Sequence, residues 1–409
     1  MKTVLFIGLV WPEPQSSAAG TRIVQLVQLF RCAGYEICFA SAASKSSFSY
    51  PLSQEGVQEV QIQLNDSRFD SFVATLQPHI VIFDRFVTEE QYGWRIREQC
   101  PAACTVLDTE DLHFLRRSRQ EAFKKDAAIN YYNDVTIREI AAILRCDLSL
   151  IISRQEMELL LTKFRIPADL LYYLPFLEAT VDEAKQNNWP DFEQRKHFVF
   201  IGNFLHEPNW HSVRVLKESI WPKLRKQVPD AELHVYGAYP TEKVYQLHRP
   251  QEKFFIKGRA EDARKTLEAY RVLIAPIPFG AGVKGKFIDA MQAGTPSVTT
   301  TVGAEAMSID GTWNGFIEDD PANFSDKSAQ LYQHSKIWYQ AQEKGVAILR
   351  ATSDKQLFAT PFLGYISELI EMLATHRQQN FVGQILQNQQ HNASKYMSLW
   401  IEAKNSNLG

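Results

Sequence analysis

The stretch from Ala275 to Gly294, APIPFGAGVKGKFIDAMQAG, concentrates the chemistry of this chain. An apolar strand is expected to end at Pro276, after which Gly280, Gly282 and Gly285 interleave with Val283, Lys284 and Lys286 before the helix FIDAMQA. Glycines let backbone N–H groups approach an oxyanion, a helix N-terminus adds positive potential, and two lysines supply full charge. The pattern reads as a diphosphate site, with Asp289 one turn into the helix to accept hydrogen bonds from ribose hydroxyls. An ordinary strand-to-helix turn with solvated lysines is the alternative, but such a turn needs neither three glycines nor two lysines.

A second cluster follows the apolar run TVL, where Asp108, Glu110, Asp111, His113 and Arg116 crowd a turn and the start of a helix. One imidazole among carboxylates at a strand end can orient or protonate a group in a cleft, which makes His113, Asp111 and Arg116 the catalytic candidates. A structural histidine is the competing reading. Asp84 and Arg85 close the run IVIFD and are candidates for the acceptor side, against a structural Arg–carboxylate pair. Gly202 and Asn203 end HFVFIG and can offer backbone N–H groups to a phosphate or sugar, or simply turn the chain. The basic run Arg116, Arg117, Arg119, Lys124, Lys125 reads as a solvated helix face, with weak contact to an anionic lipid surface as the sharper alternative.

These residues need elements to hold them, and the pattern of apolar runs supplies them. VLFIGLVWPEP near the N-terminus and HFVFIGNFLHEPN from His197 are alike: each is a continuous apolar run ending in Gly, the form of a parallel strand buried on both faces. Ile23, Leu26, Val27 and Phe30 recur at helical spacing after the first, and Val213, Leu216, Ile220 and Leu224 do so after the second, predicting a helix over His211 to Arg225. Strands alternating with helices predict α/β architecture with parallel sheets, and the restart near Phe198 predicts two of them facing across a cleft. The expected division is 1–186, a polar linker at 187–196, a second domain at 197–361 and a helical crossover and tail at 362–409.

At DAMQAGTPSVTTTVGAEAM, Asp289 to Met307, the chain resembles the retaining GT-B glycosyltransferases of the group 1, family 4-like kind, which use nucleotide-activated sugars. The resemblance implies two Rossmann-like domains with a C-terminal helix crossing back to the first. It also implies a nucleotide-sugar donor as co-substrate without a further cofactor, and front-face transfer in which the leaving diphosphate helps to take the acceptor proton. Of the two family glutamates, the second falls on Asp289 and the first on Ala281. The Arg and Lys expected after GN are absent from GNFLHEPN, and Lys284 and Lys286 stand in for that charge. Carried over residue by residue, Lys257, Gly258 and Arg259 would meet the base, Glu305 would face the cleft, His113 would touch the donor sugar, and SSAAGTR, with Ala19, Gly20 and Arg22, would form the acceptor loop.

Composition narrows the rest. The chain's 44 basic and 47 acidic side chains leave a net charge of −3, which gives no field for nucleic acid, and 45% hydrophobic with 22% charged residues is ordinary for a globular protein. Five sparse cysteines suit a reducing compartment, no zinc spacing is present, and TVLFIGLV is too short for a signal peptide, so a cytoplasmic enzyme is expected. The expected function is transfer of a sugar to a glycan, lipid-linked or protein acceptor without a metal. A non-catalytic nucleotide-sugar binder, or a GT-B sugar phosphorylase or epimerase, is the alternative.

Overall fold

The computed structural model describes residues 2–406, leaving aside the side chains of 389–393 and 406. Its first sheet contains β1 (Thr3–Gly8), β2 (Glu36–Ser41), β3 (Gln58–Gln61), β4 (Ile80–Asp84), β5 (Cys104–Asp108), β6 (Leu148–Ile151) and β7 (Leu171–Tyr173), in the order β3-β2-β1-β4-β5-β6-β7. Its second contains β8 (Lys196–Asn203), β9 (Leu233–Ala238), β10 (Phe254–Gly258), β11 (Tyr270–Ala275), β12 (Ser297–Thr299) and β13 (Gly315–Ile317), in the order β10-β9-β8-β11-β12-β13. Every pairing in both sheets is parallel. Strand order reverses between β1 and β4 and between β8 and β11, and such switch points leave a crevice at the carboxyl ends of the strands.

The apolar runs form strands because both faces of each sheet are covered. In the first sheet, Leu5, Ile7, Val81, Phe83 and Leu107 enter one core while Val4, Phe6, Ile80, Ile82 and Val106 enter another, alternating along each strand. The covering helices of that domain include α1 (Ala18–Cys32), α2 (Arg85–Gln99), α3 (His113–Lys125), α4 (Asp134–Arg145) and α5 (Arg154–Thr162). Side-chain caps fix several starts: Ser17 accepts from Gly20 N, Ser153 from Glu156 N, and Asn133 forms a capping box with Thr136. In the second domain, α6 (Glu207–Val215) follows β8 and α7 (Gly285–Gln292) follows β11.

Two expectations change in detail. The helix predicted over His211 to Arg225 begins at Glu207 and passes through a π turn at Leu216–Ile220 before continuing from Trp221 to Gln227. Pro222 cannot donate an in-helix hydrogen bond, and a wider turn before it accommodates the loss. The segment 187–196, expected as a polar linker, buries Trp189, Phe192 and Arg195. Phe192 packs edge-on to Trp338, while Arg195 donates to Ala293 O and Thr295 Oγ1, so the segment is bolted to the second domain.

The last helices return to the first domain, as the crossover expectation has it. In α8 (Lys355–Glu371), fully buried Phe362 meets Phe30 and Tyr172 with ring centroids 6.0 and 5.3 Å apart. In α9 (Phe381–Ser406), Ser398 accepts from Arg95 at 3.0 Å and Lys395 pairs with Glu98 at 2.7 Å. Phe362→Ala should therefore cost about 3–5 kcal/mol, the range for truncating a buried Phe, in chemical denaturation followed by circular dichroism. A loss below about 1 kcal/mol would show that α8 does not clamp the first domain.

Candidate active site

The carboxyl ends of the two sheets face one cleft of ≈ 560 Å³. Its walls come from the β1–α1 turn, the ends of β4 and β5, the β8–α6 turn and the β11–α7 loop. The approach of the two domains is close: an added Cβ on Gly285, the first residue of α7, would lie 2.7 Å from Ala18 Cβ at the start of α1. Asn203 Nδ2 also crosses to Ser16 O, at 3.2 Å, and Tyr239 Oη donates to Glu13 at 2.7 Å.

The β11–α7 loop presents the two lysines. Lys284 Nζ donates to Gly282 O at 2.9 Å and stands 3.8 Å from Glu305. Lys286 Nζ donates to Asn209 Oδ1 at 2.5 Å and lies over the Phe200 ring, 4.4 Å from its centroid. Burial lowers both amines, Lys284 to about 8 and Lys286, beside the charge of Lys284, to about 7. A buried ammonium at a helix N-terminus is poised to receive an anion, and an arriving diphosphate would restore its charge.

Opposite them, α3 begins at His113 after a left-handed Glu110. The α3 N-terminus is capped by a buried carboxylate from α4: Glu139 accepts from His113 N at 3.1 Å and Phe114 N at 2.9 Å. His113 lies 3.5 Å from Asp111 and packs edge-on to Phe86. Burial pulls its imidazole down to about 3 despite Asp111, so it is neutral at ordinary pH and offers one donor and one acceptor. Burial works against ionisation of Asp111 too, but Arg116 at 2.9 Å, His113 and Arg85 hold its carboxyl below the usual range. The arrangement provides a neutral hydrogen-bonding ring and a fixed carboxylate on one wall, and paired amines on the other.

The cleft gathers most of the expected residues. Ala19, Gly20, Gly202, Asn203, Arg259, Gly280, Ala281, Val283 to Lys286, Asp289, Asp111, His113 and Arg116 line it. Asp84, Arg85 and Arg22 also border it, yet each is spent on structure. Arg22 is 1% exposed and donates to Asp108, Leu174 O and Pro175 O. Asp84 accepts from Leu9 N at 2.9 Å, and Arg85 pairs with Glu110 at 2.6 Å, both of the latter with positive φ. Four residues stand off the cleft lining: Lys257 and Gly258 at the end of β10, Gly282, whose N–H is bonded to buried Glu156, and Glu305. Glu305 is held by Arg119, whose Nη2 lies 2.7 Å from Oε1. Asp289 is not free for a ribose in this state, since Arg264 holds it at 2.8 Å while also reaching Glu178.

The basic run on α3 divides: Arg117 and Lys125 are exposed and pair with Glu121, as a solvated face does, while other members reach the second domain. Arg119 crosses to Glu305 and Gly280 O, and Lys124 crosses to Glu207 at 2.8 Å. Phe123 joins them, packing on Phe279 and His211 of the second domain. Cleft residues missed from the sequence include Asn209, Arg264, Glu178, Glu13 and Tyr239. Asn209 lies in the GNFLHEPN string, six residues after Asn203, to whose carbonyl it donates, and that proximity was the available signal.

Residues 195–334 match the family model described as Glycosyl transferases group 1. Among solved structures the chain is similar to a glycosyltransferase from Rickettsia africae (TM-score 0.64, 12% identity, covering 90% of this chain and 99% of that one). It is also similar to sucrose-phosphate synthase from Thermosynechococcus elongatus (0.65, 15%, 91% and 100%) and to Anabaena HepE in complex with UDP and glucose (0.67, 12%, 90% and 100%). No curated protein sequence matches. At these identities the structural likeness is one of fold. The paired parallel sheets give the chain the GT-B fold, and the matched segment, which lies in the second domain, is similar to the glycosyl transferases group 1.

The lysines give a test that needs no assigned substrate. An anion that pairs with Lys286 raises its pKa above the free value near 7, so binding takes up protons and weakens as pH rises from that value. Inorganic pyrophosphate titrated in buffers of different ionisation enthalpy should show proton uptake near pH 7.5 and roughly tenfold weaker binding at pH 8.5 than at pH 7. Lys286→Met should lose most of that pH dependence. A variant with the full wild-type dependence would assign the proton elsewhere.

Proposed function

We propose that the chain moves a sugar from a nucleoside-diphosphate sugar to a glycan, lipid-linked or protein acceptor, with retention of configuration and without a metal, in glycan or glycoconjugate biosynthesis. The observation that carries this reading is the pair of largely buried amines at the start of α7, which line the same cleft as His113. Two solved relatives in fold support the donor class: Anabaena HepE in complex with UDP and glucose, and the pneumococcal O-GlcNAc transferase GtfA in complex with UDP and GlcNAc. Five free thiols, four of them buried, support a cytoplasmic setting.

In this mechanism Lys284, Lys286 and the α7 N-terminus stabilise the charge that develops on the departing diphosphate. No bound metal is needed for that charge. Neutral His113, oriented by its capped helix start, hydrogen-bonds the donor sugar without adding a competing cation beside Arg116. Asp111 accepts from a sugar hydroxyl. The leaving diphosphate takes the acceptor proton as the new glycosidic bond forms on the face the nucleotide leaves. Asp289 exchanges Arg264 for the ribose diol when the nucleotide enters.

Incubation with a panel of nucleotide sugars, with release of free nucleoside diphosphate as readout, tests the assignment. Slow release from one donor supports the transferase. Binding without turnover in the presence of candidate acceptors would make the chain a binder, and phosphate-dependent release would make it a phosphorylase. Lys286→Ala should weaken donor binding in calorimetry by about 1.5–3 kcal/mol with the fold unchanged. His113→Ala should reduce turnover at least roughly tenfold while donor affinity changes little. Wild-type turnover in that variant would remove His113 from the site.

A further inference from the structure

We propose that Glu156 and Arg119 are positioning residues that dock the β11–α7 loop onto the first domain and so tie donor loop and histidine turn into one unit. The inference rests on the donor-loop reading above. Glu156 lies in the first turn of α5, 1% exposed and off the cleft lining. Its Oε1 accepts from Gly282 N at 2.8 Å and from Leu112 N, the residue before His113, at 3.1 Å. One buried oxygen therefore holds a loop of the second domain and a turn of the first.

Arg119 acts on the other side of the same residue. Its Nη1 donates to Gly280 O at 2.8 Å, so the peptides flanking Ala281 are gripped in opposite senses, carbonyl by a guanidinium and amide by a carboxyl. Ala281 itself packs against the apolar core of the first domain. Gly282 has φ +61°, and a Cβ there would lie 2.7 Å from Asp111 Cβ, so only glycine allows the approach.

The chemistry of Glu156 suits a hinge contact. Burial, with Asp111 adding repulsion, pushes its carboxyl up to about 7, and Oε2 has no hydrogen-bond partner among the described residues. Neutral or ionised, Oε1 remains an acceptor, so the two N–H contacts survive protonation. A glutamine retains the acceptor as well, whereas an alanine leaves two buried N–H groups unpaired. Glu139 provides the internal comparison, because it caps His113 N and Phe114 N and contacts no residue of the loop through a hydrogen bond.

Hydrogen–deuterium exchange on the ligand-free full chain tests the docking. Glu156→Ala should speed exchange about tenfold or more in both peptides 277–287 and 109–116, and Glu156→Gln should restore protection. Arg119→Ala should loosen 277–287, and Glu139→Ala should loosen 109–116 alone. Unchanged protection of 277–287 in folded Glu156→Ala overturns the proposal, and should that variant fail to fold, unchanged protection in Arg119→Ala does so. Calorimetry with UDP adds the functional arm, with affinity about tenfold weaker in Glu156→Ala and recovered in Glu156→Gln. A wild-type chain that binds no nucleoside diphosphate would sink the proposed donor class, while the exchange data still decide the docking.

Discussion

The site depends on an amine that the fold buries without a counter-ion, so that its charge is held firmly only when an anion joins it. Lys286 is buried against Phe200, its polar partner is the neutral amide of Asn209, and the nearest influence on it is a second lysine. Among the described residues no carboxylate pairs with it. Burying an ammonium in this way is unfavourable unless something compensates, and a protein built only for stability would replace it with an apolar side chain. The compensation lies in what enters the cleft. Around Lys286 the rest is arranged to keep that opening available: Asn209 is itself fixed by donating to Asn203 O, and the β8–α6 turn that carries both is shaped by Asn203 accepting from Leu205 N.

The same economy explains why the loop lacks a carboxylate at 281. A donor loop that carries its own acid can recruit sugar hydroxyls from one domain. Here the loop packs Ala281 against the first domain's core, and the acids on the cleft wall, Asp111 and Glu110, come from the opposite sheet. Catalytic geometry then depends on how the domains meet. That contact is correspondingly built up: α3 begins at His113 on the cleft wall and, within its thirteen residues, reaches the second domain through Arg119, Phe123 and Lys124. A helix that presents the imidazole at one end and grips the donor domain with the other converts domain approach into placement of His113.

Much of the architecture was legible because parallel strands covered on both faces leave unbroken apolar runs, and VLFIG, IVIFD and HFVFIG are such runs. The loop chemistry was legible too, since glycine spacing and adjacent lysines are local features. What escaped was non-local. Nothing in the sequence of Asp289 announces Arg264, twenty-five residues earlier and on a different helix, and nothing near Glu305 announces Arg119, 186 residues away. Lys257 and Gly258 were placed at the base site by the family resemblance alone, but β10 is the edge strand of its sheet, and its end falls outside the cleft lining. The 187–196 segment misled for a related reason: polar composition conceals that Trp189 and Phe192, two aromatic residues, carry its packing.

The paired ions Asp289–Arg264–Glu178 give the cleft a resting state of its own. Burial pushes the Asp289 carboxyl up, and the guanidinium of Arg264 opposes that shift. Arg264 bridges a carboxylate on α7 to Glu178, in the segment that leaves β7, so the bridge spans the two domains just as the α3 contacts do on the opposite side. On the proposed donor reading, a ribose diol at Asp289 would have to compete with a charged donor, and Arg264 would keep its pairing with Glu178. A neutral amide at 289 would keep an acceptor for the ribose while losing the ionic half of the bridge, so the geometry separates what Asp289 does for the fold from what it offers a ligand.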